Sequence, residues 1–185
     1  MEQLPQDIDI VNLSLGGYTD DDAAALALAC ALQSMRKQRS VVVAAAGNNA
    51  QTRPFWPAAF KQVLAVGAVQ EKSPQWVKAD FSNSGWWVDA VARGVNLEST
   101  FAKGKTKAAA GDTPQPATDP TWTFEGWAAW DGTSFSAPIT AGVLARTMSR
   151  NGFATAEDAK DHLLATSPPA PQPDFPLAVL VDELR

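Results

Sequence analysis

One cysteine, one histidine and one tyrosine occur among 185 residues, and the first two scarcities each remove a class of explanation. A single thiol, Cys30, permits no intrachain disulfide. Flanked by Leu26, Ala27, Ala31 and Ser34, it reads as a small residue on a packed helix face, the usual place of a free cysteine. A catalytic cysteine would want a histidine beside it, and His162 is the only one in the chain. Lysine and arginine never run beyond two in succession, and the formal net charge is -5. Nucleic acid is therefore not an expected partner, because neutralising phosphates takes a clustered basic footprint. Lys103, Lys105 and Lys107 alternate through a Gly/Ala stretch and read as a solvated loop. The longest apolar run, Ala23 to Leu32, is too short to span a bilayer, so no membrane partner is expected. Nor does Met1, followed by Glu2, polar residues and a proline, open a signal peptide.

What is present suits a packed domain: hydrophobic residues make up 45% and charged residues 19%. Short β-branched runs alternate with helical segments, which predicts an α/β fold of three layers, α/β/α, around a mostly parallel sheet. Ile8 to Leu15 reads as a strand ended by Gly16-Gly17. Thr19 or Asp20 can cap a helix from about Asp21 to Arg36, with Asp20 to Asp22 as its acidic first turn rather than a cation site. Val41 to Ala46 is apolar on both faces, as a central parallel strand must be. Val63 to Val69 and Trp87 to Ala92 predict two more strands. Residues 102–126 shift to Ala, Gly, Pro, Thr and Lys, with prolines at 114, 116 and 120, and predict an irregular surface insertion. A helix is expected from Ser134 to about Arg150, with Pro138 in its first turn, and another over Ala156 to Ala165. The remaining 167–185 read as a Pro-rich linker and a short apolar segment. Of the seven tryptophans, Trp127 and Trp130 stand close enough to Ser134 to border a cleft, while Trp86 and Trp87 suit packing or edge positions.

Gly132-Thr133-Ser134-Phe135-Ser136-Ala137-Pro138 carries the most chemistry. A serine between a glycine turn and a long helix lies where unpaired backbone N–H groups and the helix dipole favour negative charge. An oxyanion formed when Ser134 attacks an acyl group would sit in that field. The plainer reading is that Ser134 caps the helix. Ala44-Ala45-Ala46-Gly47-Asn48 places a carboxamide at the C-terminal end of a buried parallel strand, where α/β sheets gather their sites. Asn48 is either a turn residue or a second oxyanion donor.

With these two stretches the sequence resembles the subtilase family of serine peptidases. Gly132 to Pro138 is similar to its nucleophile motif and Ala45 to Asn48 to its oxyanion-hole motif. Asn12-Leu-Ser-Leu-Gly-Gly17 resembles its substrate-binding strand. Phe81-Ser-Asn-Ser-Gly85 and Val88-Asp-Ala-Val-Ala-Arg-Gly94 resemble two further signatures, all in the family's order from about Ile8 to Gly152. Ile139 and Arg93 depart from it, where many relatives carry histidine and proline. The resemblance implies Ser134 as nucleophile and Asn48 as oxyanion donor. Ser14, Leu15 and Gly16 would pair with an extended peptide, and Ala45, Ala46, Gly47 and Thr133 would complete the substrate site. Small Ala and Gly walls would suit large apolar side chains.

Subtilases order their triad Asp, His, Ser, and no segment like those bearing the first two occurs here. Because the substrate-binding strand begins almost at Met1, residues 1–166 read as the C-terminal portion of a subtilase catalytic domain with an incomplete fold. The acid and base are expected on an upstream half of the same domain. The sequence therefore points to a serine endopeptidase fragment, inactive by itself, whose partners are that half and a peptide or protein substrate. The alternatives are a non-catalytic peptide-binding module and an esterase using an unrecognised base such as His162. No cofactor is required; structural calcium is known in the family, but no liganding loop is recognisable here. By family resemblance alone the location would be secreted or cell-envelope.

Overall fold

The structure, a computed structural model, describes residues 8–37, 39–73, 75–107 and 121–168. The expected segment at 169–185 and the prolines at 114, 116 and 120 lie outside the described residues.

Among the described residues four strands run parallel: β1 (Ile10–Leu13), β2 (Val41–Ala45), β3 (Val63–Lys72) and, after the antiparallel β4 (Gln75–Lys78) in the chain, β5 (Ala90–Arg93). Every residue of β2 is buried, because its alternating side chains serve two cores. Val41, Val43 and Ala45 pack with Val143 and Leu144 of α2 (Thr133–Asn151) and Leu163 of α3 (Ala156–Thr166). Val42 and Ala44 face the other way, toward Leu32 of α1 (Leu26–Lys37), Ala58, Ala59 and Trp87. Helices on both faces of a mainly parallel sheet give the three layers that the alternating pattern predicts. Among the described residues β1 pairs with β2 alone, so its other edge is open.

Several boundaries differ from expectation for identifiable reasons. α1 starts at Leu26, not Asp21, because the acids close a turn before it. Asp21 Oδ1 accepts the Ala23 N–H, Thr19 Oγ1 donates to the Ala23 carbonyl, and Asp22, at φ 58°, pairs with Arg53. Short polar side chains that bond nearby backbone compete with helix in this way. Cys30 is exposed, not packed. The buried stripe of α1 runs through Leu28, Leu32 and Met35, and a residue two positions from Leu28 and Leu32 points to the opposite face. The strand expected at Trp87 to Ala92 is displaced to Ala90–Arg93, because Val88 N–H closes a turn on the Gly85 carbonyl.

Residues 96–131 form a second unit. Here the expected irregular insertion is corrected: β7 (Gly104–Lys107) and β8 (Thr121–Phe124) form an antiparallel ladder, Gly104 opposite Phe124 and Lys107 opposite Thr121. β6 (Leu97–Thr100) and β9 (Trp127–Trp130) form a second ladder. Composition hid the alternation Thr121-Trp122-Thr123-Phe124, a strand pattern of β-favouring residues. Its aromatic members meet others of the unit, Phe124 with Phe101 at 4.6 Å and Trp122 with Trp130 at 6.2 Å between ring centroids.

One carboxylate in the first unit is held against its preference. Burial pushes Asp89 up to about 6, opposed by its hydrogen bond from the Ala65 N–H and by the charge of Lys160. The folded state therefore holds this proton to a higher pH than the unfolded chain does. The carboxyl's contribution to stability is greatest below about pH 4 and declines as pH rises toward 6. The ordinary value of 3.8 against about 6 caps the loss at about 3 kcal/mol. Urea denaturation of Asp89→Asn should show a gain of about 1–3 kcal/mol over wild type at pH 7.5, shrinking toward zero at pH 4. An unchanged difference across that range would rule out a raised Asp89.

Candidate active site

α2 begins without a cap of its own. Gly132 holds the N-cap position at φ 153°, a backbone conformation that favours glycine, and has no side chain to offer. The acceptor arrives from 85 residues earlier: Asn48 Oδ1 takes the Thr133 N–H at 2.9 Å and the Thr133 Oγ1–H at 2.8 Å. Thr133 Oγ1 in turn accepts the Gly47 N–H at 3.0 Å. A backbone N–H can only donate, so the Asn48 oxygen must face the helix and its Nδ2 must face away. Nδ2 lies beside Gly132, where an added Cβ would stand 3.3 Å from it, and among the described residues it donates to nothing. Phe135 N–H turns back to the Gly132 carbonyl at 3.1 Å, whereas the Ser134 N–H finds no acceptor among the described residues. Two unspent donors thus lie next to the half-buried Ser134, at the positive end of a 19-residue helix.

Ser134 is the second residue of α2, so the plainer reading of it as the cap does not hold. Pro138 is also deeper than expected: it is the sixth helical residue, beyond the first turn. Lacking an N–H, it leaves the Ser134 carbonyl without its helical partner. Ser14 supplies one, its hydroxyl donating to that carbonyl at 2.8 Å, while the Ser134 hydroxyl donates to the Ser14 carbonyl at 3.3 Å. Asn12 Nδ2 donates to Ser14 Oγ at 2.9 Å. These exchanges tie the end of β1 to the start of α2. The same helix start is docked on β5: Gly132 N–H donates to the Gly94 carbonyl at 2.7 Å, and Ser136 Oγ to the Ala92 and Arg93 carbonyls. Gly94 allows this approach, since an added Cβ would stand 2.5 Å from both Ala68 Cβ and Ser136 Oγ.

Asn83 holds the loop that carries Asn48, a role that sequence reasoning missed. It is fully buried, and its Oδ1 accepts the N–H groups of Asn49 and Gln51 at 3.1 and 2.9 Å. Its Nδ2 donates to the Ala46 carbonyl at 2.7 Å and to Tyr18 Oη at 2.9 Å, and its own N–H donates to the Gly47 carbonyl. One side chain therefore brackets Asn48 on both sides. The only signal was its place in the Phe81 to Gly85 stretch.

The other expected residues fall as follows. Ser14, Leu15 and Gly16 are exposed just past β1, and Leu15 is 61% exposed. Gly17 exchanges two backbone hydrogen bonds with Trp56, at 2.8 and 2.9 Å, which fixes the far end of that stretch. Ala45 and Ala46 bury their methyls in the two cores, so of their stretch Gly47 and Asn48 reach the site. Phe55, not singled out in the sequence, packs its ring against both Gly16 and Gly47. His162 sits against Phe153, ring centroids 5.1 Å apart, just past the C-terminal end of α2. At 1.5 Å per residue, roughly 25 Å of helix separates that end from Ser134. His162 is thus not brought to Ser134.

The family model described as the subtilase family matches residues 1–178. The chain belongs to the subtilase family. Subtilisin E of Bacillus subtilis (strain 168) is 29% identical over 168 residues, covering 89% of this subtilase chain and 37% of that protein. A thermophilic serine proteinase of Bacillus sp. (strain AK1) is 44% identical over 93 residues, 50% of this chain and 21% of that one. Among solved structures, a serine-to-alanine mutant of the protease domain of PatA superposes with a TM-score of 0.69 at 27% identity, covering 92% of this chain and 56% of that one. The prenylagaramide maturation protease PagA gives 0.68 at 27% identity, covering 90% and 54%. The chain spans about a fifth to two fifths of these two curated relatives.

Asn83→Ala strands two part-buried N–H groups and one buried carbonyl. It should lower unfolding free energy by about 2–4 kcal/mol in urea titration. A change within 0.5 kcal/mol would mean that the loop holds itself.

Proposed function

We propose that this subtilase chain supplies the nucleophile and the oxyanion hole of a serine endopeptidase, and that an acid and a base from an upstream segment complete it. The observation that carries the reading is the Asn48–Thr133 clamp, which leaves Asn48 Nδ2 and the Ser134 N–H as unspent donors beside one hydroxyl. In this mechanism the peptide lies extended along Ser14 to Gly16, backbone to backbone. Ser134 Oγ attacks the carbonyl carbon and its proton passes to the upstream base. The carbonyl oxygen, now negative, accepts from Asn48 Nδ2 and the Ser134 N–H. Collapse expels the amine, which takes the proton from that base, and water then hydrolyses the ester on Ser134.

Within the described residues Ser134 Oγ–H meets only the Ser14 carbonyl, which is not a base, and that contact favours a second reading. In it the chain is a peptide-binding module that keeps the groove without the chemistry. A fluorophosphonate probe separates the two. The first predicts labelling of Ser134 when the upstream segment is added, none in Ser134→Ala, and no effect of His162→Ala. Peptide binding without labelling in any mixture supports the second.

Given labelling, Asn48→Ala should lower turnover about 10²- to 10³-fold, as loss of the oxyanion asparagine does in a subtilisin. Loss of less than threefold would remove Asn48 from the oxyanion hole.

A further inference from the structure

Gly16 and Gly47 belong to the two backbone stretches that flank the proposed peptide groove, and a side chain on either would meet the same ring. A Cβ added to Gly16 would overlap the Phe55 ring, with Cδ1 at 2.8 Å, and one added to Gly47 would stand 3.1 Å from Phe55 Cγ and Cδ1. Contacts below about 3.4 Å are tighter than ordinary van der Waals packing, so neither wall has spare room on that side. The glycines therefore leave space that the protein itself fills.

The ring is fixed from several directions. Tyr18 meets it edge-on, centroids 5.0 Å apart at 71°, and the Tyr18 hydroxyl is bonded to Asn83 Nδ2. Arg53 lies over the other ring, its Cζ 4.9 Å from the Tyr18 centroid, and is itself held by Asp22 and the Thr19 carbonyl. Behind Phe55, the Trp56 backbone is bonded to Gly17 in both directions, and the Phe55 carbonyl accepts the Ala59 N–H. Swinging the ring out would break this packing.

We propose that Phe55 is a specificity-determining residue. It fills the slot between Gly16 and Gly47 in which the side chain preceding the scissile bond would lie, so that only Gly, Ala or Ser is accepted there. This inference rests on the peptide groove assigned under the proposed function. It reverses the expectation that small Ala and Gly walls admit large apolar side chains: an internal phenyl ring lies against both walls.

The test uses the chain complemented by the upstream segment, with two acetylated tripeptide boronic acids that differ only in the last residue, alanine or phenylalanine. A boronic acid forms a tetrahedral adduct with a serine hydroxyl, read by boron NMR for the adduct and by calorimetry for affinity. The wild type should bind the alanine analogue about 10- to 200-fold more tightly than the phenylalanine one. Phe55→Gly should erase or invert that ratio and Phe55→Leu should narrow it. Equal or tighter binding of the phenylalanine analogue by the wild type, abolished by Ser134→Ala, would overturn the role of Phe55 and leave the groove standing. Absence of any adduct, or binding indifferent to Ser134→Ala, would overturn both. The wild-type comparison needs no variant, so a misfolded Phe55→Gly does not spare the proposal.

Discussion

The site depends on one carboxamide that has two ends. α2 begins at a glycine that cannot cap it, and Asn48 reaches across from the end of β2 to do so with its oxygen. Chemistry then decides the rest: the oxygen is committed to donors, so the nitrogen is aimed outward beside Ser134. Helix stability and the direction of the free N–H are consequences of the same hydrogen bonds. Everything nearby steadies that arrangement. Asn83 brackets the loop, Thr133 returns a bond to Gly47, and Gly94 lets the helix start settle onto β5.

A second exchange joins the helix to β1 over a distance of 120 residues. Proline removes one helical hydrogen bond, the freed carbonyl is taken by Ser14, and the Ser14 carbonyl receives the Ser134 hydroxyl. The stretch beside which a peptide would lie and the proposed nucleophile are thus positioned by one pair of contacts. Sites built on strand ends and helix starts of a packed sheet inherit the rigidity of that sheet.

Much of this is legible in the sequence. The unbroken apolar run from Val41 announced a strand buried on both faces, and Gly47-Asn48 marked where it stops. The serine after Gly132 and the order of five short stretches pointed to a family. What could not be read was anything decided by contact between distant segments. Asn83 has no reading of its own beyond its place in the Phe81 to Gly85 stretch, because nothing local says that four backbone neighbours and a phenol converge on it. Cys30 lies on the exposed face and not the packed one, a distinction that an alanine-rich helix, with little contrast between its sides, does not display in sequence. Thr121 to Phe124 was lost in the composition around it, although its alternation is that of a strand.

The bare walls at Gly16 and Gly47 have different second locks. With the ring removed, a side chain at Gly16 would still meet the Trp56 carbonyl at 2.7 Å. Gly47 would still sit at φ 99°, with the Asn83 amide nitrogen pressed against it. Gly16 cannot gain a side chain without moving the Trp56 backbone, nor Gly47 without moving the loop that carries Asn48. The volume between them is therefore adjustable at a single side chain, and a lineage could retune it by exchanging Phe55 alone while the frame around it stays constant.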